Sequence, residues 1–190
     1  RAVAIGTSLT SIGEGAFYNC RNLEPLALPS TLREIAARAF QNCTRFTEIT
    51  IPDAVNKISP AAFDGCPNLK NITVSEKNGT YSSSDGVLLN KNGQILIRCP
   101  QGRTGDYQAP ATVTEISTAA FYGCRALTSI TLPDAVINIL NDAFRECSSP
   151  HTVNIPQALT SMGSFAFASC GSLESVNVPA GVTSIGSYVF

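Results

Sequence analysis

One interval dominates this chain. Cysteines 20, 43 and 66 stand 23 residues apart, and so do cysteines 124, 147 and 170. The same step governs a dipeptide upstream of each: Ala16-Phe17, Ala39-Phe40, Ala62-Phe63, Ala120-Phe121, Ala143-Phe144 and Ala166-Phe167, with Val189-Phe190 on the same beat. Prolines 29, 52, 110, 133, 156 and 179 keep it too. Apolar columns precede each proline (Ile49 and Ile51 before Pro52) and follow it (Val55 and Ile58). A repeat this regular has to be read before any motif.

The I-x-I part has the period-2 alternation of a short strand with one buried face. The proline after it lacks an N–H and ends the strand. The V-x-x-I-x-x-x-A-F part, with apolar residues three to five apart, suits a turn of 3-10 or short α-helix, or irregular extended segments. A single coil is too small to bury its own apolar columns. Stacked coils bury them as continuous ladders, with parallel strands ~4.8 Å apart. The chain therefore reads as a solenoid, with residues 1–190 as a single domain.

Composition narrows the function classes. The chain has 190 residues and a formal net charge of −1, which excludes a strongly basic nucleic-acid-binding domain. Charged residues make up 14%, and Ser, Thr and Asn fill the space with 49 of 190 positions. No apolar run approaches the ~18 residues of a membrane span.

The full repeat, L-x-x-I-x-I-P-x-x-V-x-x-I-x-x-x-A-F-x-x-C, resembles the leucine-rich repeats of the BspA-like class. Phe46 through Ile58, followed by Ala62-Phe63-Asp64-Gly65-Cys66, is a close match, as is Leu127 through Pro133 with Val136. The resemblance implies an α/β fold. It would be a right-handed leucine-rich repeat horseshoe with a parallel sheet on the concave face and short helical or 3-10 turns on the convex side. It also implies a secreted or surface-attached protein acting as an adhesin or interaction module, with no catalytic residues. Four features depart from the pattern: Pro150 and Phe46 in the first Leu column, Ala36 and Leu140 where Gly13, Gly163 and Gly186 stand, and an insertion.

That insertion makes Phe63 to Phe121 35 residues longer than one period. Residues 86–97 read as two apolar runs around Asn90-Lys91-Asn92-Gly93, a β-hairpin signal. We read 75–110 as an irregular repeat carrying a hairpin, either structural padding or a partner-binding protrusion.

The seven cysteines raise the question of a disulfide framework, a metal site or a reactive centre. Six share one column, where stacking gives parallel Cβ directions at coil spacing, a poor fit to disulfide geometry. No C-x₂-C pair suggests zinc. We expect an unpaired structural ladder, no metal and no cofactor. Cys99 falls outside that column and is either a strand residue or a reactive thiol. The one histidine, His151, is expected at the surface, and no G-x-S-x-G, P-loop or H-E-x-x-H is present. Asn42, Asn71 and Asn78 begin N-x-T sequons.

The natural binding surface of such a solenoid is its exposed strand face. The candidate residues there are Glu48, Thr50, Asn71, Thr73, Gln108, Ser129, Thr131, Thr152, Asn154, Ser175 and Asn177. They bond through hydrogen but include no aromatic or Arg anchor. Weak or multivalent protein docking is the expectation, with host matrix or cell-surface proteins as partners and an extracellular or cell-surface location. An intracellular leucine-rich repeat scaffold or binding module is the alternative, and an enzyme using Cys99 is the third reading. Neither end shows a polar cap, so we expect a fragment whose end coils could self-associate.

Overall fold

The structure is a computed structural model that describes residues 3–190. The chain falls into two compact units. The first runs to Asn92 and includes Pro100–Gly102; the second comprises Gly93–Cys99 and Arg103–Phe190. In the first lie β1 (Ser11–Ile12), β2 (Glu34–Ile35), β3 (Glu48–Ile51), β4 (Lys57–Ile58), β5 (Asn71–Val74), β6 (Tyr81–Ser84) and β7 (Val87–Asn90). In the second lie β8 (Ile95–Arg98), β9 (Gly105–Gln108), β10 (Glu115–Ile116), β11 (Leu127–Thr131), β12 (Asn138–Ile139), β13 (Ser161–Met162) and β14 (Ser184–Ile185).

Each unit is a solenoid of parallel strands with two ladders. In the first unit the I-x-I column gives β3 paired to β5, with Glu48 opposite Asn71 and Thr50 opposite Thr73. The V-x-x-I column gives a second ladder, β1–β2–β4, which aligns Ile12, Ile35 and Ile58. In the second unit β9 pairs with β11, and β8, β10, β12, β13 and β14 run in parallel order. The I-x-I ladder is shorter than the repeat: Leu26–Leu28 and Val176–Val178 form no strand, and Val153 keeps only one bridge, to Ile130.

The expected helical or 3-10 turns are formed at one place only among the described residues, and the α/β expectation is corrected accordingly. Among the described residues the one helix is a 3-10 turn at Pro60–Phe63, where Pro60 supplies the preset φ of a helix start. Elsewhere the A-F segment is held by two sets of bonds. Turn bonds run within a coil, as from the Cys20 N–H to the Phe17 carbonyl. Alternate N–H groups instead reach the next coil: Phe17 to the Ala39 carbonyl at 2.8 Å, Phe40 to Ala62 at 2.8 Å, Phe121 to Ala143 and Phe144 to Ala166 at 2.7 Å. Residues in the left-handed region interrupt any helix: Asn19, Asn42, Glu146 and Ser169 in one column, Arg38, Ala119, Asp142, Phe165 and Tyr188 in another. Each such residue costs about 1–2 kcal/mol, and the cross-coil bonds offset that cost.

The core is a stack of rings. Phe17, Phe40 and Phe63 lie 5.2 and 5.7 Å apart in the first unit, nearly parallel, with Phe46 5.2 Å from Phe40. Phe121, Phe144 and Phe167 repeat this at 4.9 Å steps in the second. The departure Phe46 is thus an added core ring. Gly163 is also explained: a Cβ there would stand 2.5 Å from the Leu140 carbonyl carbon of the coil before.

The front of the insertion is built into the first unit. β6 and β7 pair antiparallel across Asp85-Gly86, both at positive φ, a pairing the sequence reading did not place. The Asn90–Gly93 signal falls where the chain passes from the first unit to the second. Asn78 is fully buried. Its amide donates to the Pro52 and Val55 carbonyls at 2.7 and 2.8 Å and accepts from the Thr80 and Tyr81 N–H groups at 2.8 Å. All four of its hydrogen-bonding positions are filled, and the sequon at Asn78 has no accessible nitrogen.

Candidate binding face

Alternation along β3 and β5 turns Ile49, Ile51, Ile72 and Val74 inward and exposes Glu48, Thr50, Asn71 and Thr73. In the second unit Gln108 and Thr131 are exposed and opposite one another, and Ser129 is half-buried. Thr152, Asn154, Ser175 and Asn177 are exposed too, but they stand on backbone outside the named strands. The predicted residues therefore form one paired patch in the first unit and one in the second, the latter continued by irregular segments.

Two of the polar side chains are already engaged. Asp106 lies opposite Ser129. One oxygen of its carboxylate accepts the Ser129 and Thr128 hydroxyls, both at 2.7 Å. These bonds, Ser129 first, hold its pKa below the ordinary carboxylate value. Sequence reasoning missed Asp106 because the insertion breaks the count between Asn71 and Ser129; counting back from Tyr107 would have found it. Asn154 is engaged more fully. Its amide accepts from the Leu132 N–H at 2.7 Å and donates to the Leu132 carbonyl at 2.8 Å, replacing the ladder bonds that the backbone no longer makes.

The first unit differs. An open groove of about 520 Å³ runs between Pro25–Leu28 and β3. Its walls include exposed Pro25 and Ala27 and half-buried Leu28 and Pro52, and its rim carries exposed Glu48, Thr50 and Asp53. No Lys or Arg lines it. Among the described residues neither Glu48 nor Asp53 is in an ion pair. No backbone hydrogen bond joins Pro25–Leu28 to Glu48–Ile51. Pro25 has no N–H to offer there.

The cysteines form the expected ladder, and no disulfide joins them. The Cys43, Cys66, Cys147 and Cys170 thiols donate to the Phe17, Phe40, Phe121 and Phe144 carbonyls of the preceding coil at 3.0–3.1 Å. Burial pushes the Cys43 and Cys170 thiols up to about 11. Cys99 is placed by its neighbours. Its N–H bonds the Ala120 carbonyl at 2.7 Å, as Phe121 bonds Ala143, so it occupies the phenylalanine column. It is fully buried, and burial raises its pKa well above the ordinary value, the opposite of a reactive thiolate. His151 is exposed, and no group of three or more His, Cys, Asp or Glu among the described residues could hold a metal ion. No helix there is long and apolar enough to cross a membrane.

Parallel strands, phenylalanine stacks and 23-residue columns together define a leucine-rich repeat solenoid. The chain belongs to the BspA type leucine rich repeat family, whose repeat region matches residues 1–87 and 104–190 in six copies. It is similar to a leucine-rich cell surface protein from Faecalibacterium prausnitzii A2-165, with 33% identity over 100% of this chain and 50% of that one and a TM-score of 0.87. A leucine-rich repeat protein from Bacteroides ovatus ATCC 8483 gives 25% identity over 100% of this chain and 54% of that one, with a TM-score of 0.58. The pneumococcal vaccine antigen PcpA shares the fold, at 24% identity over 87% of this chain and 47% of that one, with a TM-score of 0.76. The chain spans about half the length of each of these proteins. Comparison with curated proteins found no match.

Proposed function

We propose that the chain is a non-enzymatic protein-binding module of a bacterial surface protein, which docks partners on its exposed strand face. The observation that carries this reading is the likeness, along the whole chain, to a protein described as a cell surface protein. The exposed patches around Thr50 and Thr131 support it, because they offer hydrogen-bonding groups on a rigid strand ladder. Host matrix and neighbouring-cell proteins are the partner class we favour. The faces hold no aromatic or Arg anchors, so each contact is weak and affinity comes from several contacts at once.

The test is capture of matrix and cell-surface proteins by the immobilised chain, with Thr50→Arg and Thr131→Arg variants in parallel. We expect a captured partner to lose about tenfold or more in affinity when a bulky cation enters the patch it uses. Capture unchanged by both substitutions would move binding off the strand face. Tight binding at a single site would refute the weak, multivalent mode.

A further inference from the structure

We infer that the first unit's groove receives an extended peptide segment of the partner, one that alternates aliphatic side chains with lysine or arginine. The inference rests on the strand-face reading and names the chemistry of what binds there. Three observations support it. First, β3 has one committed edge and one open edge. Its inner edge is paired with β5. The next strand is closed in turn by the insertion, since the Ile72 N–H bonds the Gly86 carbonyl at 2.8 Å and the Val74 N–H bonds the Ser83 hydroxyl at 3.0 Å. The other edge of β3 faces Pro25–Leu28 across the groove, with no backbone bond between them. The same two coils are bonded on either side of this stretch, from the Arg45 N–H to the Arg21 carbonyl at 3.2 Å and from the Asn56 N–H to the Arg33 carbonyl at 3.0 Å, so an extended peptide lies along the mouth of the groove, over the stretch where no backbone bond joins the coils, rather than between them.

Second, Pro25, Ala27, Leu28 and Pro52 make an aliphatic wall without an aromatic ring, suited to Val, Leu or Ile side chains rather than to a stacked sugar or base. Third, the charges at the rim have one sign: Glu48 and Asp53 carry no ion pair among the described residues, and no cation lines the groove. Partner cations would complement them. Because both carboxylates are exposed, their contribution lies chiefly in steering and selection and falls with added salt.

The full chain is titrated with a fluorescent heptapeptide alternating lysine with valine and leucine, and with its counterpart carrying glutamate in place of lysine. We expect saturable binding of the lysine peptide only, weakened by salt and reduced about tenfold in the Glu48→Gln/Asp53→Asn double variant. Both residues are exposed, so the variant should unfold at the wild-type midpoint. Thr50→Asn gives a second arm, because an amide there could clamp Leu28 as Asn154 clamps Leu132, and it should weaken the same peptide. Equal binding of both peptides, binding unaltered in both variants, or no binding of the lysine peptide would overturn the inference. If the peptide fails while captured proteins still lose affinity with Thr50→Arg or Thr131→Arg, only the inference falls and the strand-face reading stands.

Discussion

β3 and β11 occupy the same column of the repeat, yet their edges are treated differently. Beyond β11, Ile130 keeps a bridge to Val153, and the Asn154 amide supplies the two bonds that Leu132 would otherwise lack. At β3 the neighbouring coil is Pro25–Leu28. Thr50 holds the place of Asn154 and makes no bond to Leu28, and the gap is the groove. The carboxylates differ as well: Asp106 is engaged by two hydroxyls, while Glu48 faces solvent at the groove rim. The same repeat therefore carries neighbouring coils that are joined by an amide and a bridge in one unit and left without a backbone bond in the other, where Pro25 and Thr50 replace Ser129 and Asn154.

The largest expected effect tests whether the cores beneath are alike. Phe40 and Phe144 are the middle rings of the two stacks, both buried. Replacing either by Ala should cost about 3–5 kcal/mol in urea unfolding, equally in the two units. A loss under about 1 kcal/mol in one of them would show that the cores differ and that the contrast is not confined to the edges.

Next comes the clamp. Asn154→Ala leaves the Leu132 N–H and carbonyl without their partners and should destabilise by about 1–3 kcal/mol, with faster amide exchange at Leu132. Unchanged exchange would mean that the amide is ornamental. The converse change, Thr50→Asn, should add at most about 1 kcal/mol and slow exchange at Leu28. If Leu28 exchanges as before, the two edges are not equivalent by register.

The smallest effect is electrostatic. The folded-state pKa of Asp106 is depressed, so its two hydroxyl bonds are fully present above the ordinary carboxylate value of about 3.9 and are lost as pH falls through the lower folded value. Carboxyl NMR should show Asp106 titrating below that ordinary value, with the Thr128 and Ser129 signals moving alongside it. An ordinary midpoint would contradict the engaged state.

The ladders, the ring stack and the cysteine column were legible in the sequence because burial repeats every 23 residues and apolar residues report burial directly. The left-handed turns were only half legible. Asn19, Asn42, Gly65 and Gly123 signal positive φ, but Arg38, Ala119, Phe165 and Tyr188 do not, since tertiary bonds hold them there. The helices were a misreading for the same reason: spacing of three to five residues fits a helix, but the N–H groups found partners in the next coil. Cys99 and Asp106 were misplaced or missed because the insertion interrupts the count. The groove had no sequence signature beyond Pro25, since an open edge is a property of two coils together.

The central claim is that the open edge at β3 is the receptive part of the strand face. Amide chemical-shift mapping with the lysine-alternating heptapeptide tests it most directly. The account predicts saturable shifts concentrated at Leu26–Leu28 and Glu48–Asp53, with Gln108, Ser129 and Thr131 unmoved. Shifts of equal size on both strand patches, or confined to the second, would contradict it.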